Sequence, residues 1–206
     1  QIAFANELSL ICDRAGINVW ELIALANKHP RVNILQPGCG VGGHCIAVDP
    51  YFLTAAFPEE AQIIAQARAI NNHKADWCAL KTINAILRFN NEHHRRPVVA
   101  MMGVAFKPDI DDLRESPSVQ IVQTLAKELT HSRILAAEPH VTTLPEKLAG
   151  RGVRLVGLDE ALELADVIVL LVDHTAFKSI DPSLFGERAV VDTKGLWRGR
   201  LGGSGR

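Results

Sequence analysis

The segment Gln36-Pro37-Gly38-Cys39-Gly40-Val41-Gly42-Gly43-His44-Cys45 holds four glycines and two thiols within ten residues. Glycines let a backbone take positive φ and come close to a ligand. The segment leads into Cys45 to Ala56, which reads as a short helix with Pro50 near its start or at a break. A thiol at a helix N-terminus meets free N–H groups and the positive end of the dipole. Both favour the thiolate. A thiolate adds to an electrophilic carbon, so Cys45 is a candidate nucleophile. Asp49, four residues on, shares its helix face, while His44 adjoins it with no defined direction. A second reading stands beside this one: a free cysteine often packs as a small buried hydrophobe. Cys39, flanked by glycines ahead of the helix, lacks the dipole argument. Cys12 on an apolar stripe and Cys78 in mid-helix read as core.

Two further segments carry cations suited to an anion. Gly103 to Pro117 contains Lys107 and Arg114, then Ser116-Pro117, a capping serine followed by a proline at the first helical position. A helix N-terminus flanked by Lys and Arg suits a phosphate. No GxGxxG fingerprint occurs here, so a dinucleotide site is not claimed from the segment. Alternatively, Asp109, Asp111 and Asp112 pair with these cations in a solvated loop. In Asp192-Thr193-Lys194-Gly195-Leu196-Trp197-Arg198, Lys194 and Arg198 can reach the same anion, and Trp197 reads as packing. His131, His140 and His174 have no spaced acidic or Cys partners. They read as surface or loop histidines, and no metal site is expected. His93-His94-Arg95-Arg96 reads as solvated linker.

The elements that must position these groups change character near residue 95. Before it the periodicity is helical. Ile2, Ala5, Leu8, Ile11 and Cys12 form one stripe over Ile2 to Ala15, and Gly16 fits a helix stop. Asn18 fits a cap for Val19 to Asn27, with Glu21 as its N3 acid. Glu59 to Phe89 predicts a long helix interrupted near Asn71-Asn72, followed by a polar linker, Asn90 to Arg96. After it, continuous apolar runs read as strands: Val98–Val104, Arg133–Ala137, Val153–Val156, Val167–Val172 and Ala189–Asp192. Helical stretches at Ser118–Leu129, Leu144–Ala149 and Leu158–Ala165 lie between them. This alternation predicts an α/β domain with a doubly wound parallel sheet. The expected organisation is a helical region, 1–92, then the sheet domain, 97–198, then a tail, 199–206, of linker composition. In such sheets the ligand sits at the C-terminal strand ends where strand order reverses.

Composition removes several function classes. Apolar residues make up 48%, which argues for a packed core rather than disorder. Lys plus Arg is 22 and Asp plus Glu is 23, a net charge of −1, without the basic footprint of a nucleic-acid binder. No apolar run approaches the ~18 residues of a membrane span. Four cysteines with no CxxC pair argue against a disulfide framework or structural zinc and fit a reduced, cytoplasmic setting. The N-terminus lacks a signal-peptide layout and starts without Met inside a helical pattern, so a piece of a longer protein is expected.

Together the motifs carry a resemblance. Gly42-Gly43-His44-Cys45-Ile46-Ala47-Val48-Asp49-Pro50 resembles the catalytic-cysteine motif of the UDP-glucose/GDP-mannose dehydrogenase family. Ala105-Phe106-Lys107-Pro108-Asp109, with Asp111 to Pro117, resembles the signature of that family's C-terminal nucleotide-sugar domain. Asn6-Glu7-Leu8 resembles the end of its long central helix. His44 and Val48, where UDP-glucose members more often carry Ser and Lys, together with Asp192 to Arg198, resemble the branch that oxidises UDP-N-acetyl-D-mannosamine.

The resemblance implies a helical dimerisation region, a Rossmann-like UDP-binding domain, a homodimer, and a place in polysaccharide biosynthesis. It implies an NAD-dependent, four-electron oxidation of the sugar C6 alcohol, in which Cys45 forms a thiohemiacetal and then a thioester and Asp49 helps activate water. Arg31, Gly38, Gly40, Val41, Gly42, Gly43 and His44 would contact the sugar nucleotide, with Arg31 in reach of a neighbouring subunit's site. Phe106, Lys107, Lys194 and Arg198 would bind substrate, Lys194 at the UDP end, and Arg114 would lie near NAD. The family's NAD-binding domain and a catalytic Lys and Asn would precede Gln1. This chain alone is therefore expected to bind a UDP-sugar without turning it over.

Overall fold

The structure, a computed structural model, describes residues 1–129 and 132–197. His131, Arg198 and the expected tail 199–206 lie outside them. Helix α1 spans Ile2–Ala15 and ends at Gly16, whose φ of 70° lets its N–H reach Cys12 and Asp13 carbonyls. Helix α2, Val19–Ala26, starts where the sequence predicts. Asn18 accepts from the Trp20 and Glu21 N–H groups and donates to the Glu21 carboxylate, a reciprocal cap.

The helix expected from Cys45 begins instead at Asp49: α3 is Asp49–Ala56. Pro50 lacks an N–H and fits a first helical turn, where no N–H partner is needed. Cys45 to Val48 form a lead-in turn, with the Val48 and Asp49 N–H groups both donating to the Cys45 carbonyl. The long helix α4, Gln62–His93, is continuous, contrary to the interruption expected at Asn71-Asn72. Both amides are committed to other side chains and do not compete for the helix backbone. Asn71 accepts from Asn6, while Asn72 accepts from Arg68 and donates to the Tyr51 hydroxyl. Helix α4 also takes up the first residues of the expected linker and stops at His94, φ 50°.

Five parallel strands follow: β1 Val98–Met102, β2 Arg133–Ala137, β3 Arg154–Val156, β4 Val167–Leu170 and β5 Ala189–Asp192. Their order is β3-β2-β1-β4-β5. Helices α5 (Pro117–Glu128), α6 (Glu146–Ala149), α7 (Leu158–Leu164) and α8 (Thr175–Lys178) and a 3-10 turn (Pro182–Phe185) connect them. Val99, Met101, Val167 and Val169 face one way, against α5 and against Ala75, Cys78, Ala79 and Ile86 of α4. Ala100, Met102, Ile168 and Leu170 face the other way, against Ala161, Phe177, Phe185 and Trp197. The helix that closes the helical region is thus also a cover for the sheet. Strand order reverses between β1 and β4, which opens a crevice at their C-terminal ends. Among the described residues no helix is long and apolar enough to cross a membrane.

Candidate functional site

The crevice is a cleft lined by Gly38, Gly40, Phe106, Lys107, Pro117 and Lys194, among others. It gathers five residues singled out from the sequence for substrate. The glycine loop enters from the helical region. Asn6, fully buried on α1, accepts from the Gly38 N–H and donates to Asn71 on α4, fixing where the loop starts. Gly42 and Gly43 then meet the loop after β1. A Cβ on Gly42 would lie 2.6 Å from the Glu115 carbonyl oxygen and 2.7 Å from Phe106 Cβ. Gly43, at φ 86°, lies on the Phe106 ring and donates its N–H to the Arg114 carbonyl. These two glycines use their missing side chains to bring two protein loops together.

Of the four cysteines only Cys45 is exposed. It lies four residues ahead of α3, so the argument from a helix start does not hold at its position. What the structure gives instead is a seat for its loop: the Gly43 N–H donates to the Arg114 carbonyl. His44 is exposed and lies near enough to Asp112 to help lower it. Asp49 is exposed one turn on, joined to Cys45 through the backbone, and Val41 is half-buried. Cys12, Cys39 and Cys78 are buried, and burial pushes the Cys78 thiol up to about 12.

The cations divide into engaged and free. Arg114 is exposed and grips Asp112 through Nε and Nη2; those hydrogen bonds hold Asp112 down at about 2. Lys194 pairs with Asp173 at 3.0 Å, and its Nζ would lie 3.4 Å from a Cβ on Gly38. Lys107 is exposed over the Phe106 ring, 5.5 Å from its centroid, and forms no ion pair with any described residue. Pairing with nearby aspartates therefore accounts for Arg114 but not for Lys107. Helix α5 is capped as expected: Ser116 Oγ accepts from Val119 N–H and donates to the Val104 carbonyl. Trp197 is fully buried, as read, with its N–H on Asp192. Arg31 is exposed in the turn after α2 and does not line the cleft; Arg198 lies outside the described residues.

One group escaped the sequence reading. His174, read as a surface or loop histidine without an acidic partner, does lie in the loop ahead of α8 but is fully buried and bonded to Glu138, which is buried as well. The signal was positional: Glu138 directly follows β2, and His174 comes soon after β4, the two strands that flank β1. Gly103, at φ 85°, makes room for the imidazole, since a Cβ there would lie 3.2 Å from the ring. Burial pushes the Glu138 carboxyl up. Hydrogen bonds from His174 and the backbone outweigh it and leave the group below its ordinary value. Asp109, His140 and His174 bring ligand-type atoms within 4.8 Å of one another. Both ring nitrogens of His174 are already engaged, by Asp109 N–H and by Glu138, so the trio lacks a free imidazole for a metal.

Comparison with known proteins agrees with this geometry. Residues 1–73 match the central domain of the UDP-glucose/GDP-mannose dehydrogenase family, and residues 100–199 match its UDP binding domain. An NDP-N-acetyl-D-galactosaminuronic acid dehydrogenase of Ralstonia nicotianae is 51% identical over 95% of this chain and 44% of its own length. A UDP-N-acetyl-D-mannosamine dehydrogenase of Salmonella typhi is 53% identical over 96% of this chain and 47% of its own. The solved structure of a UDP-D-ManNAc dehydrogenase from Pyrococcus horikoshii superimposes with a TM-score of 0.78 at 33% identity, covering 95% of this chain and 44% of that one. The chain thus spans just under half the length of these relatives. With both of its regions matched in order, the chain belongs to the UDP-glucose/GDP-mannose dehydrogenase family.

Proposed function

We propose that this chain is the thiol-bearing and nucleotide-sugar-binding portion of an NAD-dependent UDP-sugar 6-dehydrogenase acting on UDP-N-acetyl-D-mannosamine. The observation that carries this reading is the seating of the Cys45 loop on the Lys107 loop. Gly43 bonds to Arg114 and lies on Phe106, so the exposed thiol two residues on belongs to a loop seated against the loop that carries the unpaired Lys107 ammonium, although Cys45 itself does not line the cleft. The motif around His44 and Val48 supports the N-acetylmannosamine substrate, as do the mannosamine dehydrogenases among the relatives.

In this reading Lys107 and Lys194 neutralise the diphosphate, a role in which ammonium groups act as point charges, and Phe106 walls the cleft. The Cys45 sulfur adds to the C6 aldehyde carbon. An S–C bond forms, the carbonyl π pair moves to oxygen, and that oxygen gains a proton, giving a thiohemiacetal. At the thioester stage water attacks the carbonyl carbon, the C–S pair returns to Cys45, and Asp49 takes the water's proton. The product is the uronic acid.

Oxidising C6 requires a hydride acceptor, and the family resemblance implies NAD. The residues of this chain do not fit it. The backbone N–H groups after β1, which would face a pyrophosphate in a dinucleotide domain, donate to the buried Glu138 carboxylate, and the Arg114 guanidinium is held by Asp112. The acceptor then belongs to the part of the relatives' length that this chain does not span. Exposed apolar side chains on α1, α2 and α3, including Phe4, Ile11, Leu25 and Phe52, support assembly with a second copy through the helical region.

Calorimetric titration with UDP tests the site. The 206-residue chain is expected to bind, and Lys107→Ala to weaken binding at least about tenfold, the loss of one charge-assisted contact. No binding, with Lys107→Ala equally silent, contradicts the reading. The chain alone is expected to give no UDP-sugar-dependent NAD reduction, and robust NADH formation would overturn the division of labour.

A further inference from the structure

The buried Glu138–His174 pair plays no part in the chemistry above, yet it touches the segment that carries Lys107. The Asp109 N–H donates to His174 Nδ1 at 2.9 Å, so the ring proton sits on Nε2 and is donated to Glu138 Oε2 at 3.0 Å. The same carboxylate oxygen accepts the N–H groups of Val104 and Ala105, at 2.8 and 3.0 Å, and Oε1 accepts from His140 N–H. Beyond them the Asp109 carboxylate accepts the Thr175 N–H and hydroxyl, at 2.8 and 2.6 Å.

The stretch from Val104 to Asp109 is therefore held at both ends, on β2 through Glu138 and on the loop after β4 through His174 and Thr175. Phe106 and Lys107 lie between the anchors with their side chains outside the network. Asp109 has φ 58°, in the left-handed region that Asp enters more readily than most residues, and its bonds to His174 and Thr175 hold it there. A buried acid–imidazole pair is a poor source of stability compared with apolar packing, and fixing one geometry is the better-attested use of such groups.

We propose that Glu138 and His174 are positioning residues for the cleft: they fix the backbone from Val104 to Asp109 so that Lys107 and Phe106 face an anionic diphosphate ligand. The ligand half of this statement rests on the UDP-sugar reading; the ordering of the loop does not.

Two measurements on the 206-residue chain separate them. Without ligand, His174→Phe is expected to speed amide exchange at Val104, Ala105 and Asp109 at least about tenfold, with α1 and the rest of the sheet unchanged. With UDP, His174→Phe is expected to weaken binding about tenfold, but less than about twofold in a Lys107→Ala background, because it acts through that lysine. Glu138→Gln, which keeps the side-chain shape, should move both readouts the same way by less, and it substitutes for His174→Phe should that variant not fold. Equal weakening in both backgrounds, or faster exchange across the whole sheet, would mark the pair as ordinary core and overturn the proposal. If the unmodified chain binds no UDP, the nucleotide reading fails, and exchange alone then decides the positioning role, with unchanged loop amides overturning it.

Discussion

The two loops that meet at the cleft are built in opposite ways. The loop after β1 is stitched in at the C-terminal end of the central strand: Glu138, His174 and Thr175 bond to it, Ser116 bonds back to Val104, and the Glu138 and Ser116 bonds are buried. The thiol loop is anchored at its start by Asn6 and pinned at Gly43, after which His44, Cys45 and Ile46 stand exposed. The difference suits the tasks proposed for them. Holding a diphosphate needs a fixed charge at a fixed place, whereas a nucleophile needs access. It also locates what each loop can lose. Damage to the stitched loop should show as lost order and affinity, and damage to the exposed turn should show as lost reactivity with the fold intact.

The largest expected effect is on the exposed turn. Cys45→Ala should abolish fast alkylation of the native chain by iodoacetamide, because the other three thiols are buried, while thermal unfolding stays within about 0.5 kcal/mol of the parent. Mass mapping that finds Cys12 or Cys78 labelled as fast would break the contrast. Gly42→Ala comes next. Its Cβ would press on the Glu115 carbonyl and on Phe106, so the loops must part, at a cost of about 1–3 kcal/mol in denaturant melts. An unchanged midpoint would show that the two loops are not closely seated.

A smaller effect distinguishes the stitched loop by pH. Glu138 lies below its ordinary value in the folded chain. Its contribution to stability is therefore complete above the unfolded glutamate value of about 4.3 and is lost as pH falls through its own lower value. Glu138→Gln should flatten the acid limb of a stability–pH curve in that window, and an identical limb would contradict the assignment. The smallest effect is expected at an ion pair that joins α1 to α4 and bonds to neither loop. Lys81→Ala removes a partly exposed ion pair with Asp13 and should change stability by less than about 1 kcal/mol.

What the sequence made legible follows from how local each signal is. The caps at Asn18 and Ser116, the stop at Gly16 and the five strands rest on near-neighbour rules, and they appear where expected. The cleft cations were legible because strand ends in a parallel sheet have a known side. Non-local partners were not. The start of α3 moved to Asp49 once Pro50 took a first-turn position, and the break expected at Asn71-Asn72 vanished because Asn6, Arg68 and Tyr51 occupy those amides. His174 read as a surface or loop histidine without a partner because its acid, Glu138, lies 36 positions away in sequence. Pairing across a sheet leaves no periodicity to read.

The central claim is that the exposed sulfur and the cleft serve one ligand. Iodoacetamide labelling of Cys45, followed with and without UDP-N-acetyl-D-mannosamine, tests it most directly. The account predicts that the sugar nucleotide slows labelling at Cys45 and that Lys107→Ala removes the protection. Equal rates with and without a sugar nucleotide shown by calorimetry to be bound would contradict it.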